Sequence, residues 1–217
     1  YKPENRVYRY NFFFDNCATR PAAIIENCID GNIVYNYPYT AQSFRSMINH
    51  CTRNHPWLTF GCDLALGSPT DRLATQHEMM FLPEYLREAF ANSSIKDNAG
   101  NIRPIVKETT VIDAIEADET NRDIWDILTP YVCSWLMFAV VALITFSEWK
   151  RKIYISITDF LLFFIAGISG IIIFFICFVS EHPCTSPNIA VIWLNPIHIA
   201  GAILFDVKKT KESCILL

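Results

Sequence analysis

Three long stretches of this sequence carry no charge: residues 127–147, 161–180 and 188–205, or 21, 20 and 18 positions. Each is close to the ~20 residues an α-helix needs to cross a hydrocarbon core of about 30 Å. No other feature limits the fold as strongly. A helical transmembrane region is expected over 127–217, with about three spans near 127–147, 157–180 and 188–205. The third is the weakest, because Asn195, Pro196 and His198 interrupt it. Residues 1–126 have mixed composition and read as a separate globular domain. The whole chain is 52% hydrophobic and only 18% charged, unlike a purely soluble domain.

Basic residues orient the expected spans. Lys150, Arg151 and Lys152 lie between the first two, and Lys208, Lys209 and Lys211 follow the third. The positive-inside rule assigns both clusters to the cytoplasm. The loop 181–186 and the whole domain before residue 127 are then expected on the outer face. A net charge of −4 with scattered Lys and Arg gives no basic stripe for a nucleic acid. The chain starts at Tyr1 without a signal peptide, so it is expected to be a processed product or a fragment.

Within 1–126 the coarse reading is α+β. Residues 6–14 read as a strand buried on both faces, and 17–28 as a helix opened by the turn formers Asp15 and Asn16. A short strand is expected at 33–37 and helices at 41–51, 57–66 and 75–90, the last restarting at Pro83. Phe44, Met47 and Ile48 share one face of the second helix. Residues 92–101 read as a polar loop, 102–112 as a strand broken by Pro104, and 114–126 as an acidic linker.

Cys17 is the residue whose placement raises a chemical question. A helix N-terminus presents unpaired N–H groups and the positive end of the peptide dipole. A thiol there is more easily ionised, which is one way to make a nucleophile. The alternative is an ordinary buried cysteine ending a core strand.

The segment YRYNFFFDNCATR resembles the signature of the Lnb N-terminal periplasmic domain family, whose core is Y-N-F-F-x-D-N-C-x-T-R. Ser43-Phe44-Arg45, PWLTFGCDLALGSPTD (56–71), MFLPEYL (80–86) and SEHPCTSPNIAVIWLNPIH (180–198) follow in the order of that family. The last resembles the membrane part of the version found in Bacteroides-like bacteria. One departure is at Ala22-Ala23, where the family usually carries a polar pair such as Arg-Asp. The resemblance implies a lipoprotein N-acyltransferase of the bacterial inner membrane with its N-terminal domain in the periplasm. It implies a permuted papain-like fold, as in lecithin:retinol acyltransferases and NlpC-type amidases, here partial. It makes Cys17 the nucleophile that takes an acyl chain from a phospholipid donor as a thioester. The chain then passes to the N-terminal amine of a lipoprotein acceptor. Asp15, Asn16 and Arg20 would support the site, with backbone N–H groups at the helix start holding the oxyanion. In permuted relatives the base is an upstream histidine, so this chain is expected to lack it. No cofactor or metal is implied, and the oligomeric state stays open.

Other constellations carry less. His50, Cys51, His55 and Cys62 match no common zinc spacing. His50, His55 or His77 would serve Cys17 as base only in a complete chain. His182, beside Glu181 at the outer mouth of the second span, is a candidate base or lipid contact. The apolar run around Met79, Met80, Phe81 and Phe90 either guides an acyl chain or packs a core. Disulfides among Cys28, Cys51, Cys62 and Cys184 are conceivable, but no spacing selects a pair. The terminal Cys214-Ile-Leu-Leu217 and the sequon at Asn92 read as chance. Two other functions stay open: a papain-like thiol amidase or peptidase on cell-wall peptide, and a non-catalytic membrane anchor or assembly protein.

Overall fold

A computed structural model describes residues 7–36, 40–112, 124–153 and 155–204. The basic cluster at 208–211, the terminal box 214–217 and positions 114–123 of the acidic linker lie outside the described residues. The chain divides into two compact units, Tyr1–Ser46 with Asp71–Ala117 and Met47–Thr70 with Asp118–Leu217. This differs from a division at residue 126, because residues 47–70 group with the membrane segment.

The first unit opens on a turn where a strand over 6–14 was expected. Asn11 and Asp15 exchange two backbone hydrogen bonds, of 3.0 and 2.9 Å. Asn11 Oδ1 accepts from the N–H groups of Phe13 (3.2 Å) and Phe14 (3.1 Å). An asparagine that bonds its own downstream backbone offers the chain a turn in place of a ladder. The turn drives Phe13 inward to 2% exposure. Its ring meets Phe44 at 5.2 Å and Phe81 at 5.4 Å, and Phe44 meets Phe81 at 5.4 Å. Phe12 and Phe14 flank it and stay partly exposed.

Helix α1 follows over Thr19–Cys28, then strand β1 over Asn32–Val34. Helix α2 (Phe44–Thr52) buries Phe44, Met47 and Ile48, as their spacing predicts. Helix α3 (Pro56–Ala65) has Pro56 in its first turn, where a missing N–H costs nothing. The helix expected at 75–90 is in fact a 3-10 turn, Glu78–Phe81, followed by α4 over Pro83–Ala91. Strand β2 (Ser94–Lys96) forms inside the stretch read as a loop, and β3 is Ile102–Pro104. The sheet is antiparallel in the order β1-β2-β3, with Ile33, Ile95 and Arg103 in register. Gly31, at φ 125°, is required beside it, since any Cβ would collide with the Lys96 carbonyl oxygen. A second core joins Ala22 of α1 to Met80, Ala89 and Phe90, with Tyr35 and Leu86 against them. Met79, Met80 and Phe81 are therefore core residues and not an acyl guide.

In the second unit a short α5 (Ile124–Ile127) precedes α6 (Pro130–Arg151) and α7 (Ser156–Phe174). A π-helical turn, Phe175–Val179, extends α7. The first span begins three residues later than expected because Thr129 caps it, accepting from Val132 N–H, and Pro130 opens it. It ends at Lys152, in the left-handed conformation with φ 54°. Among the described residues two helices are long and apolar enough to cross a membrane, Pro130–Arg151 and Ser156–Val179, with mean hydropathies of 1.8 and 2.9.

The third uncharged stretch is not a straight span in its described part. It forms a 3-10 turn, Ile189–Ile192, breaks, and resumes as helix over 198–204. Asn195 causes the break: its Oδ1 accepts from Ile197 N–H and its carbonyl from His198 N–H, both at 3.0 Å. This segment lies on the glycine face of α7. A Cβ at Gly170 would stand 2.6 Å from the Asn195 backbone, and one at Gly167 2.5 Å from Ile199.

The Leu-Gly-Ser-Pro segment packs in this unit too. Gly67 N–H donates to Cys184 O and Ser68 N–H to Pro187 O, both at 2.8 Å. Asn188 Nδ2 donates to Leu64 O at 2.8 Å. Two motifs about 120 residues apart in sequence are thus one structural joint.

Candidate active site

Asn16 organises the segment around Cys17. It is 3% exposed and all its polar atoms are engaged. Its N–H donates to Thr19 Oγ1 at 2.8 Å, while its Oδ1 accepts from Thr19 N–H at 2.9 Å. That reciprocal pair is a capping box in Asn-x-x-Thr form. Oδ1 also accepts from Ala18 N–H, and Nδ2 donates to the carbonyls of Phe12 and Phe81, all at 2.8 Å. Arg20 N–H closes the first helical turn onto Asn16 O at 3.2 Å. Cys17 follows this cap directly, exposed and free. Of the two placements that the sequence left open, the structure has the exposed thiol just before a helix and not the buried one.

The oxyanion role expected of the helix start is narrowed. Ala18 and Thr19 N–H both point at Asn16 Oδ1. An oxyanion there would have to use the Cys17 N–H or a donor from another segment.

Asp15 and Arg20 form a bidentate pair, Nε to Oδ1 at 2.6 Å and Nη2 to Oδ2 at 2.9 Å. The Arg20 guanidinium also lies 3.3 Å over the Tyr8 ring. Hydrogen bonding to Arg20 holds the Asp15 carboxyl below the usual carboxylate range. The Tyr10 phenol is pushed up, first by burial and then by Cys17 and Tyr8 nearby. Asp15, Asn16, Cys17 and Arg20 are therefore one local constellation, edged by two tyrosines.

Within the same unit, His77 is engaged away from this constellation. His77 Nε2 sits 3.1 Å from Glu26 Oε1, and the Tyr35 hydroxyl bonds the same oxygen. Glu26 is near the far end of α1, about 10 Å along the axis from Thr19, so His77 is not presented to Cys17. His50, His55 and His182 belong to the other compact unit. His50 Nε2 accepts from Arg53 at 2.9 Å. His182 is exposed on the loop after α7, with the Ser180 hydroxyl on its Nδ1.

Cys17, Cys28, Cys62, Cys133 and Cys177 are free thiols, and among the described residues no group of three or more His, Cys, Asp or Glu could hold a metal ion. Burial, then Asp63, pushes the Cys62 thiol up, which makes it a poor nucleophile.

With this geometry in place, the comparisons bear on identity. Residues 120–216 match the Lnb transmembrane domain. The match covers a little under half of the chain and, with the two apolar helices, supports a transmembrane region of the Lnb type. Neither a curated protein nor a solved structure matches the chain. The Lnb transmembrane domain covers α5 to α7 and the broken segment after them, but not Cys17.

Two features of the Cys17 segment escaped the sequence reading. Thr19 completes the cap, and the spacing Asn-x-x-Thr before a helix was the available signal. Tyr8 stacks on Arg20, for which no sequence pattern gives notice.

Proposed function

We propose that this chain is a membrane-bound cysteine acyltransferase of the bacterial inner membrane, acting on its periplasmic face. The Cys17 thiolate attacks the ester carbonyl of a phospholipid. The tetrahedral intermediate collapses, expelling a lysophospholipid alkoxide that takes up a proton and leaving a thioester. The N-terminal amine of a lipoprotein then attacks the thioester, forming an amide and returning the thiol. Two easier steps replace one difficult transfer. The observation that carries the reading is an exposed thiol directly after a fully bonded helix cap, in a chain that matches the Lnb transmembrane domain.

In this reading Asn16 fixes the backbone that presents Cys17. Asp15 and Arg20 brace the turn, with Tyr8 as a lid on the guanidinium. His182 would meet a lipid headgroup or a proton at the membrane surface. The permuted papain-like fold and the lipoprotein acceptor come from the family resemblance.

Intact-protein mass spectrometry of the chain in phospholipid nanodiscs tests it. The expected result is an acyl adduct on Cys17 that hydroxylamine removes, absent in Cys17→Ser. A folded protein that never acquires the adduct would overturn the proposal.

A further inference from the structure

A cavity of about 580 Å³ opens where α6 begins. Its walls include Asn49 of α2, Arg53 just after it, Phe60 and Asp63 of α3, and Tyr131 and Ser134 of α6. The size falls within the ~300–1,000 Å³ of small-molecule sites.

Depth is the first argument about the occupant. None of the apolar window of α6 is buried, so this end of the helix marks one edge of the hydrocarbon. Trp57, Tyr131 and Trp135 are exposed here, and such amphipathic rings settle at headgroup level. The Trp57 indole N–H donates to Leu128 O at 2.7 Å, which fixes that ring beside the helix start. The basic residues Lys150 and Arg151 stand at the other end of α6.

Charge is the second argument. The cavity has one cation and one anion in its wall. Arg53 is exposed; its Nη1 donates to His50 at 2.9 Å, and a guanidinium carries five donors in all. Asp63 accepts from Asn49 Nδ2 at 3.3 Å on each oxygen. Asn49 Oδ1 is buried with no hydrogen-bond partner. A buried acceptor without a donor, next to a carboxylate, favours an incoming N–H group of positive charge.

We propose that this cavity binds the headgroup of a zwitterionic phospholipid, with Arg53 on the phosphate and Asp63 with Asn49 on the ammonium. The acyl chains would follow the exposed wall of α6. The inference deepens the acyl-transfer reading, on which it rests for its purpose, by naming the class of donor.

The test uses the full chain in nanodiscs of equal phosphatidylethanolamine and phosphatidylglycerol, with retained lipids counted by native mass spectrometry. Wild type is expected to retain phosphatidylethanolamine about tenfold over phosphatidylglycerol, the ratio given by ~1.4 kcal/mol. Arg53→Gln should lose most retained lipid, and Arg53→Lys should restore part of it. Asp63→Asn keeps the shape but removes the charge, so it should bind both lipids without preference. Ser134→Trp fills the cavity without touching either charge and should also expel lipid. Thermal unfolding of each variant separates this from misfolding. Excess inorganic phosphate should not compete; displacement by it would overturn the lipid assignment. Equal retention of both lipids by wild type, or undiminished retention by folded Arg53→Gln and Ser134→Trp, would overturn the site. Cys17→Ser should retain lipid like wild type. Lipid retained without any thioester sinks the transferase reading alone, and a thioester without selective retention sinks the headgroup site alone.

Discussion

In the unit that carries Cys17, the side chains that shape the backbone are polar or aromatic. Asn11 and Asn16 bond carbonyls and N–H groups across tight turns, and Phe13, Phe44 and Phe81 fill the space beneath. In the unit with the spans, Thr129, Asn188 and Asn195 also bond the backbone, but the closest approaches fall where there is almost no side chain. Gly67, Gly167 and Gly170 let backbone approach backbone. The physical setting explains the difference. Water drives aromatic rings together and penalises any buried polar atom left unbonded. Lipid is as apolar as leucine, so helices there associate through close packing at small residues. Large apolar side chains along α6 stay exposed, which in water would be a severe liability and in a bilayer is ordinary.

That contrast can be broken by comparing one residue type in both places. Phe13→Ala removes the centre of the aromatic core and is expected to cost about 3–5 kcal/mol in denaturant unfolding. Phe138→Ala, at a ring 63% exposed on α6, should cost under about 0.5 kcal/mol in a bilayer. Equal costs would end the comparison. Asn16→Ala comes next, at about 2–3 kcal/mol, because it leaves the Phe12 and Phe81 carbonyls and the Ala18 N–H unpaired. Gly170→Ala adds a single methyl group 2.6 Å from the Asn195 backbone. It should cost about 1–3 kcal/mol through overpacking, read as a lower melting temperature in detergent. A neutral Gly170→Ala would show that the broken segment is not held by backbone approach.

How much of this could be read in advance follows the same division. The two long spans were legible because length and lack of charge are local properties. The helix after Cys17 was legible because turn formers precede small helical residues. The strand expected at 6–14 failed because three successive Phe residues suggest a ladder, while one amide oxygen, Asn11 Oδ1, closes a turn around them. β2 was hidden because Ser94–Lys96 carries turn-forming neighbours, and its partners lie elsewhere in the chain. The break at Asn195 was visible as an interruption, but its docking on Gly167 and Gly170 depends on a meeting no single segment announces. The site divides likewise. Asp15, Asn16, Cys17 and Arg20 are neighbours in sequence and remain so in space, whereas the cavity at Arg53 and Asp63 needs α2, α3 and α6 together.

A finer test of the water-side unit is its acid response. Thr75 and Glu78 form a reciprocal capping box: Thr75 N–H donates to Glu78 Oε2 at 2.9 Å, and Glu78 N–H to Thr75 Oγ1 at 3.2 Å. Arg72 holds the same carboxylate through two bonds, of 2.9 and 2.5 Å, and its guanidinium lies 4.8 Å from the Phe44 ring centre. Chiefly through Arg72, the Glu78 carboxyl is lowered from 4.5 to about 2. A folded value below the unfolded one means that native Glu78 stays ionised where the unfolded chain would take up a proton. Its stabilisation is therefore complete above pH 4.5 and drains away as pH falls toward 2. Glu78→Gln should cost about 1–2 kcal/mol at neutral pH and flatten the stability curve between those limits. Urea unfolding followed by amide exchange near Phe81 would read the first unit directly. A variant as acid-sensitive as wild type would show that Glu78 does not couple its turn to the aromatic core, and that polar bonding matters less here than the comparison requires.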